Sequence, residues 1–233
     1  MLRYHTILIL MTICLMYGCG RDKGNTSDQP TGTASKSETL KSQATEKSEK
    51  LKNILFFGTS LTAGLGVDPE EAYPSLIQDK IDSLQLPYKV INAGLSGETS
   101  AAGKNRIDWL LRQPVDIFVL ELGANDGLRG IAVTETEANL QQIIDKVKAK
   151  YPNAKLIMAG MQMPPSMGQK YTSDFRELFP ALAKKNKMDI IPFLLKDVGG
   201  IPALIQQDGL HPNVKGHKIL ARNVWEVLQP DLQ

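Results

Sequence analysis

Five short apolar runs, each closed by glycine or a polar cluster and separated by stretches of helical periodicity, constrain this chain more than any other feature. The first is Ile54, Leu55, Phe56 and Phe57, ended by Gly58. The others fall at 89–92, 116–122, 155–160 and 189–192. Short apolar runs of this kind suit strands buried on both faces of a parallel sheet. Between them, Leu76, Ile77, Ile81 and Leu84 recur at helical spacing within 75–86, as do Ala138, Ile143, Ile144 and Val147 within 134–150. Segments 99–112, 174–187 and 214–228 complete the helical set. The expected fold class is α/β: a three-layer sandwich with a mostly parallel five-stranded sheet flanked by helices.

Residues 1–51 stand outside this alternation. Arg3 precedes an apolar run over 7–17, too short to span a bilayer, and Gly18 and Cys19 follow it. A positive start, a short apolar stretch and small residues at its end describe a secretory signal. Met16-Tyr17-Gly18-Cys19 resembles a bacterial lipobox, which implies cleavage before Cys19 and a lipid on that cysteine. An ordinary signal cut nearby is the alternative. We therefore expect a signal peptide over 1–19, a disordered Ser/Thr/Lys/Glu-rich tether over 20–51 and one folded domain over 52–233. Localisation would be outside the cytoplasm, on a membrane, as a lipoprotein. Cys14 lies inside the presumed signal, so only Cys19 would remain and no intrachain disulfide could form. The domain must be held by its core.

Formal net charge is +2, and no basic block with interleaved aromatics is present, so nucleic acid is set aside as a partner. In parallel sheets, sites lie beyond the carboxyl ends of the strands. There the chain places Gly58-Thr59-Ser60 after the first run, Ser96-Gly97-Glu98-Thr99 after the second and Gly123-Ala124-Asn125-Asp126 after the third. Beyond the fifth comes Asp208-Gly209-Leu210-His211-Pro212-Asn213. A serine hydroxyl needs a base to take its proton, and the base needs an acid to fix its tautomer. His211, three residues after Asp208, can supply that pair, although a histidine in a plain turn reads similarly. His217, at the start of an amphipathic helix, reads as exposed or structural. Ser60 is the candidate nucleophile; in isolation Thr59 or Ser60 could equally cap the next helix. The Ser60 and Gly97 N–H groups and the Asn125 amide are candidate oxyanion donors. Asn125-Asp126-Gly127 also suits a tight turn.

Four segments in order, GTSLTAG, NAGLSGETS, ELGANDGLRG and DGLHPN, together resemble the SGNH hydrolases, also called GDSL esterases and lipases. The likeness covers 53–230 and is strongest to the arylesterase, lysophospholipase and thioesterase I branch. It implies a flavodoxin-like fold, with Ser60 as nucleophile, Asp208 and His211 completing a catalytic triad, and Ser60, Gly97 and Asn125 forming the oxyanion hole. No metal or other cofactor is implied. The substrate would be a small ester, thioester or lysophospholipid of short to medium acyl chain, and we expect a monomer. A carbohydrate O-acetylesterase, or a binding lipoprotein that has kept the fold, are the rival readings. The family's first block usually has Asp where this chain has Thr59, which we expect to cap the turn instead. Met161, Met163, Pro164, Pro165 and Met167 either line an acyl pocket or pack beneath a loop.

Overall fold

The computed structural model describes residues 51–232. The signal peptide, Cys19 and nearly all of the tether expected from the sequence lie outside these residues.

Five strands form one sheet in the order β2-β1-β3-β4-β5, and every pairing is parallel. They are β1 (Lys52–Gly58), β2 (Tyr88–Gly94), β3 (Ile117–Glu121), β4 (Lys155–Ala159) and β5 (Asp189–Ile191). Ile54 to Phe57 are wholly buried, as are Phe118 and Leu120, because the sheet is covered on both sides.

The longer helices are α2 (Tyr73–Ser83), α3 (Ser100–Leu110), α5 (Val133–Lys150), α6 (Gln169–Asn186) and α7 (Val214–Leu228). Strand order reverses after β2. With right-handed crossovers, the helix joining β1 to β2 falls on one face and those joining β2 to β3, β3 to β4 and β4 to β5 fall on the other. The packing agrees: α2 contacts α7, while α5 contacts both α3 and α6.

Two further helices were not expected. They are α1 (Ser60–Ala63) and α4 (Ala124–Leu128), lying where the periodicity suggests loops. Each is about one turn long, so neither has an apolar period to read. Both begin at the carboxyl end of a strand, and both carry a candidate site residue.

Register fixes the level of the site. Gly58 of β1 is paired with Gly94 of β2 on one side and with Glu121 of β3 on the other. Three strands thus end at one height, at the point where the sheet changes direction.

Candidate active site

Ser60 is the first residue of α1, placed above the end of β1 by the turn after Gly58. Its Oγ lies 2.8 Å from Nε2 of His211. Nδ1 of the same ring lies 2.5 Å from Oδ2 of Asp208. The turn over 208–211 makes this geometry local: Asp208 Oδ1 accepts the N–H of Leu210 at 2.9 Å and that of His211 at 3.0 Å. Those two backbone donors, with the imidazole, hold the Asp208 carboxyl down at about 2, so it stays ionised at any pH near neutrality. Asp208 therefore accepts from Nδ1–H, which leaves the Nε2 lone pair for the serine proton. The three residues singled out from sequence are joined in one hydrogen-bonded chain.

Gly97 and Asn125 stand side by side beyond β2 and β3. Asn125, on α4, donates from Nδ2 to the Glu98 carbonyl at 3.0 Å. Gly97 has φ +79°, a conformation that a side chain would strain. Its loop is tied from below. Arg106 forms an ion pair with buried Glu98 at 2.5 Å, donates to the Ala93 carbonyl at 2.9 Å and lies over the Phe57 ring. From above, Arg129 donates to the Gly97 carbonyl at 3.0 Å.

Asp126, which the sequence suggests only as part of a turn, is buried and organises the base of α4. Its carboxylate accepts the Ser100 N–H at 2.8 Å and the Ser100 hydroxyl at 2.5 Å, fastening α4 to the start of α3. The sequence signal was its place beside Asn125.

Thr59 corrects the expectation. Its side chain makes no cap for α1. Instead its hydroxyl donates 2.9 Å to Glu121 Oε1, because the end of β3 brings that carboxyl directly alongside. His217 is structural: it is buried, and its Nδ1 accepts the Tyr73 N–H at 3.2 Å.

A cavity of about 570 Å³ opens beside Ser60 and His211. Leu61, Leu128, Met161, Met163, Pro164, Pro165, Phe193 and Leu195 are among its walls. Met167, the last residue of the short turn Pro165–Met167, is not among them. Among the described residues, no Asp, Glu, Lys or Arg lines the cavity.

A parallel sheet flanked by helices on both faces, with a hydrogen-bonded Ser-His-Asp chain at its carboxyl edge, is the architecture of a serine hydrolase. More specifically, the chain belongs to the GDSL-like lipase/acylhydrolase family, whose model matches residues 56–219. Esterase TesA of Pseudomonas aeruginosa is 37% identical over 180 residues, covering 77% of this chain and 89% of that protein. Thioesterase 1/protease 1/lysophospholipase L1 of Escherichia coli K12 is 38% identical over 178 residues, covering 76% and 83%. Among solved structures, TesA superposes with a TM-score of 0.74 at 37% identity, over 77% of this chain and 99% of that one. The psychrotrophic esterase EstA from Pseudoalteromonas sp., inhibited by monoethylphosphonate, gives 0.73 at 34% identity, over 78% and 98%.

Proposed function

We propose that this protein is a serine esterase that cleaves small carboxylic esters in two steps through an acyl-enzyme. The observation that carries the reading is the continuous chain Ser60 Oγ, His211, Asp208, with distances of 2.8 and 2.5 Å. His211 Nε2 takes the hydroxyl proton as Ser60 Oγ attacks the carbonyl carbon. The charge that develops on the carbonyl oxygen is met by the Ser60 N–H, the Gly97 N–H and the second N–H of the Asn125 amide. His211 then gives its proton to the leaving alcohol. In the second step it takes a proton from water, whose oxygen attacks the acyl carbon and restores Ser60.

The apolar walls of the cavity support an acyl chain of short to medium length there. They favour such esters over acetylated sugars, which need polar partners for their hydroxyls. Thioester and lysophospholipid cleavage fit the same geometry, and both activities appear in the name of the Escherichia coli relative. The sequence of residues 1–20 supports export and a lipid anchor at Cys19. Among the described residues, no helix is long and apolar enough to cross a membrane.

Hydrolysis of p-nitrophenyl butyrate tests the assignment. Ser60→Ala and His211→Ala should each retain no more than about one thousandth of wild-type kcat. Turnover near wild type in Ser60→Ala would refute it. A fluorophosphonate should label wild type at one serine and leave Ser60→Ala unlabelled.

A further inference from the structure

One buried ionisable group at the site has no part in the steps above. Glu121, the last residue of β3, is wholly buried, and among the described residues no cation pairs with it. Every hydrogen bond to its carboxyl comes from the segment that carries Ser60. Oε2 accepts the Thr59 N–H at 2.8 Å, the Thr62 N–H at 3.3 Å and the Thr62 hydroxyl at 2.8 Å. Oε1 accepts the Thr59 hydroxyl at 2.9 Å. With the Thr62 proton spent on Glu121, the Tyr73 hydroxyl donates to Thr62 Oγ1 at 2.7 Å and closes the network.

This arrangement differs from an ordinary helix start. The first N–H groups of a helix need acceptors, and the preceding side chain usually supplies one. Here the preceding residue is Thr59, and it supplies none. Glu121, from a neighbouring strand, takes the N–H groups on either side of Ser60 but not that of Ser60 itself. Among the described residues the Ser60 N–H meets no protein acceptor. The clamp thus fixes the two flanks of the nucleophile and leaves its N–H uncommitted among the described residues.

We propose that Glu121 is a positioning residue for the nucleophile: its carboxyl clamps Thr59 and Thr62, and so sets the direction of the Ser60 hydroxyl and N–H. The proposal rests on Ser60 being the nucleophile. The space around the clamp supports it. A Cβ on Gly58 would overlap Thr62 Oγ1 and come within 2.5 Å of Glu121 Oε2. The strand end is free of a side chain where the carboxyl reaches across.

The test compares Glu121→Leu, Glu121→Gln, Thr59→Val and Thr59→Ser with wild type, each titrated to endpoint with a fluorophosphonate so that kcat refers to competent serine. Displacing a catalytic group by about 1 Å can cost about 100-fold in rate. Glu121→Leu should therefore lose about 100-fold in kcat with KM within about threefold. Glu121→Gln should recover to within about tenfold of wild type, since its amide oxygen can take the two N–H groups and its amide N–H can meet Thr59 Oγ1. Thr59→Val should lose about tenfold and Thr59→Ser should restore it; this pair decides the matter if Glu121→Leu does not fold. Unchanged kcat per titrated serine in Glu121→Leu and Thr59→Val would make the clamp merely structural and overturn the proposal. Full turnover in the Ser60→Ala control would instead remove the reading of Ser60, and the two failures are distinguishable.

Discussion

The two histidines of the described domain, His211 and His217, lie six positions apart and meet opposite environments. His211 stands at the mouth of the cavity between a carboxylate and a hydroxyl. His217 is buried beneath it, its ring stacked on Tyr73 and its Nδ1 engaged as an acceptor. Burial first, and then the charge of a protonated His211, lower its pKa from 6.5 to about 4. In the unfolded chain His217 binds its proton near pH 6.5; in the native state it stays neutral until about pH 4. Stability from this residue is therefore full above pH 6.5 and falls as the pH drops toward 4. His217→Gln keeps an acceptor for the Tyr73 N–H but does not titrate. Thermal unfolding followed by circular dichroism should show its Tm falling less than that of wild type between pH 7 and pH 4.5. Parallel curves would deny His217 this role. At this scale the hydrogen-bonded grouping of Ser60, Asp208 and His211 was legible in the sequence, because a hydroxyl, an imidazole and a carboxylate have few ways to meet in a chain with so few histidines. Glu121 and Asp126 were not, since a buried carboxylate is recognised by what surrounds it, and those partners come from other elements. The one visible sign of Glu121 was an acidic residue closing an otherwise apolar strand.

Among the elements, α1 is the most constrained for its size. It spans Ser60–Ala63, ends at Gly64 in the left-handed region and rests on the end of β2. The contact with β2 depends on Gly94. A Cβ there would overlap the Ala63 N and lie 2.7 Å from both Ala63 Cα and the Thr62 carbonyl carbon. These are backbone atoms and cannot rotate away, so Gly94→Ala must lift α1 from the sheet or shift β2. Overpacking of this kind costs about 1–3 kcal/mol. We expect urea unfolding to report a loss in that range, and kcat on p-nitrophenyl butyrate to fall about tenfold or more as Ser60 moves with the helix. Native stability and activity in Gly94→Ala would show that the contact is looser than the geometry implies. The longer helices were readable because three or more turns repeat an apolar face, and α7 falls on its expected bounds at Val214–Leu228. By contrast, α1 and α4 are held by glycine contacts and buried carboxylates, neither of which has a period.

Across the whole molecule, the change of direction at β1 gathers the site. Ser60 follows β1, Gly97 follows β2 and Asn125 follows β3, while Asp208 and His211 come from the long segment after β5. The carboxyl-edge rule for parallel sheets predicted this convergence from strand positions alone. The cavity was less legible, because its walls come from α1, α4 and the segments after β4 and β5, and only the methionine and proline cluster was apparent. Leu128 is loosely tied to the fold, since it ends α4 and remains 42% exposed while still lining the cavity. Leu128→Ala should therefore change stability little. If the acyl chain lies in this cavity, the variant loses apolar contact with longer chains and almost none with acetate. At about 25 cal/mol per Å², removing about 40 Å² of contact lowers transition-state binding by about 1 kcal/mol, or about fivefold in kcat/KM. Measured on p-nitrophenyl esters from acetate to decanoate, the loss should be absent at acetate and reach about fivefold by octanoate. A uniform loss along the series would place the acyl chain elsewhere on the carboxyl edge and assign this cavity to the leaving group.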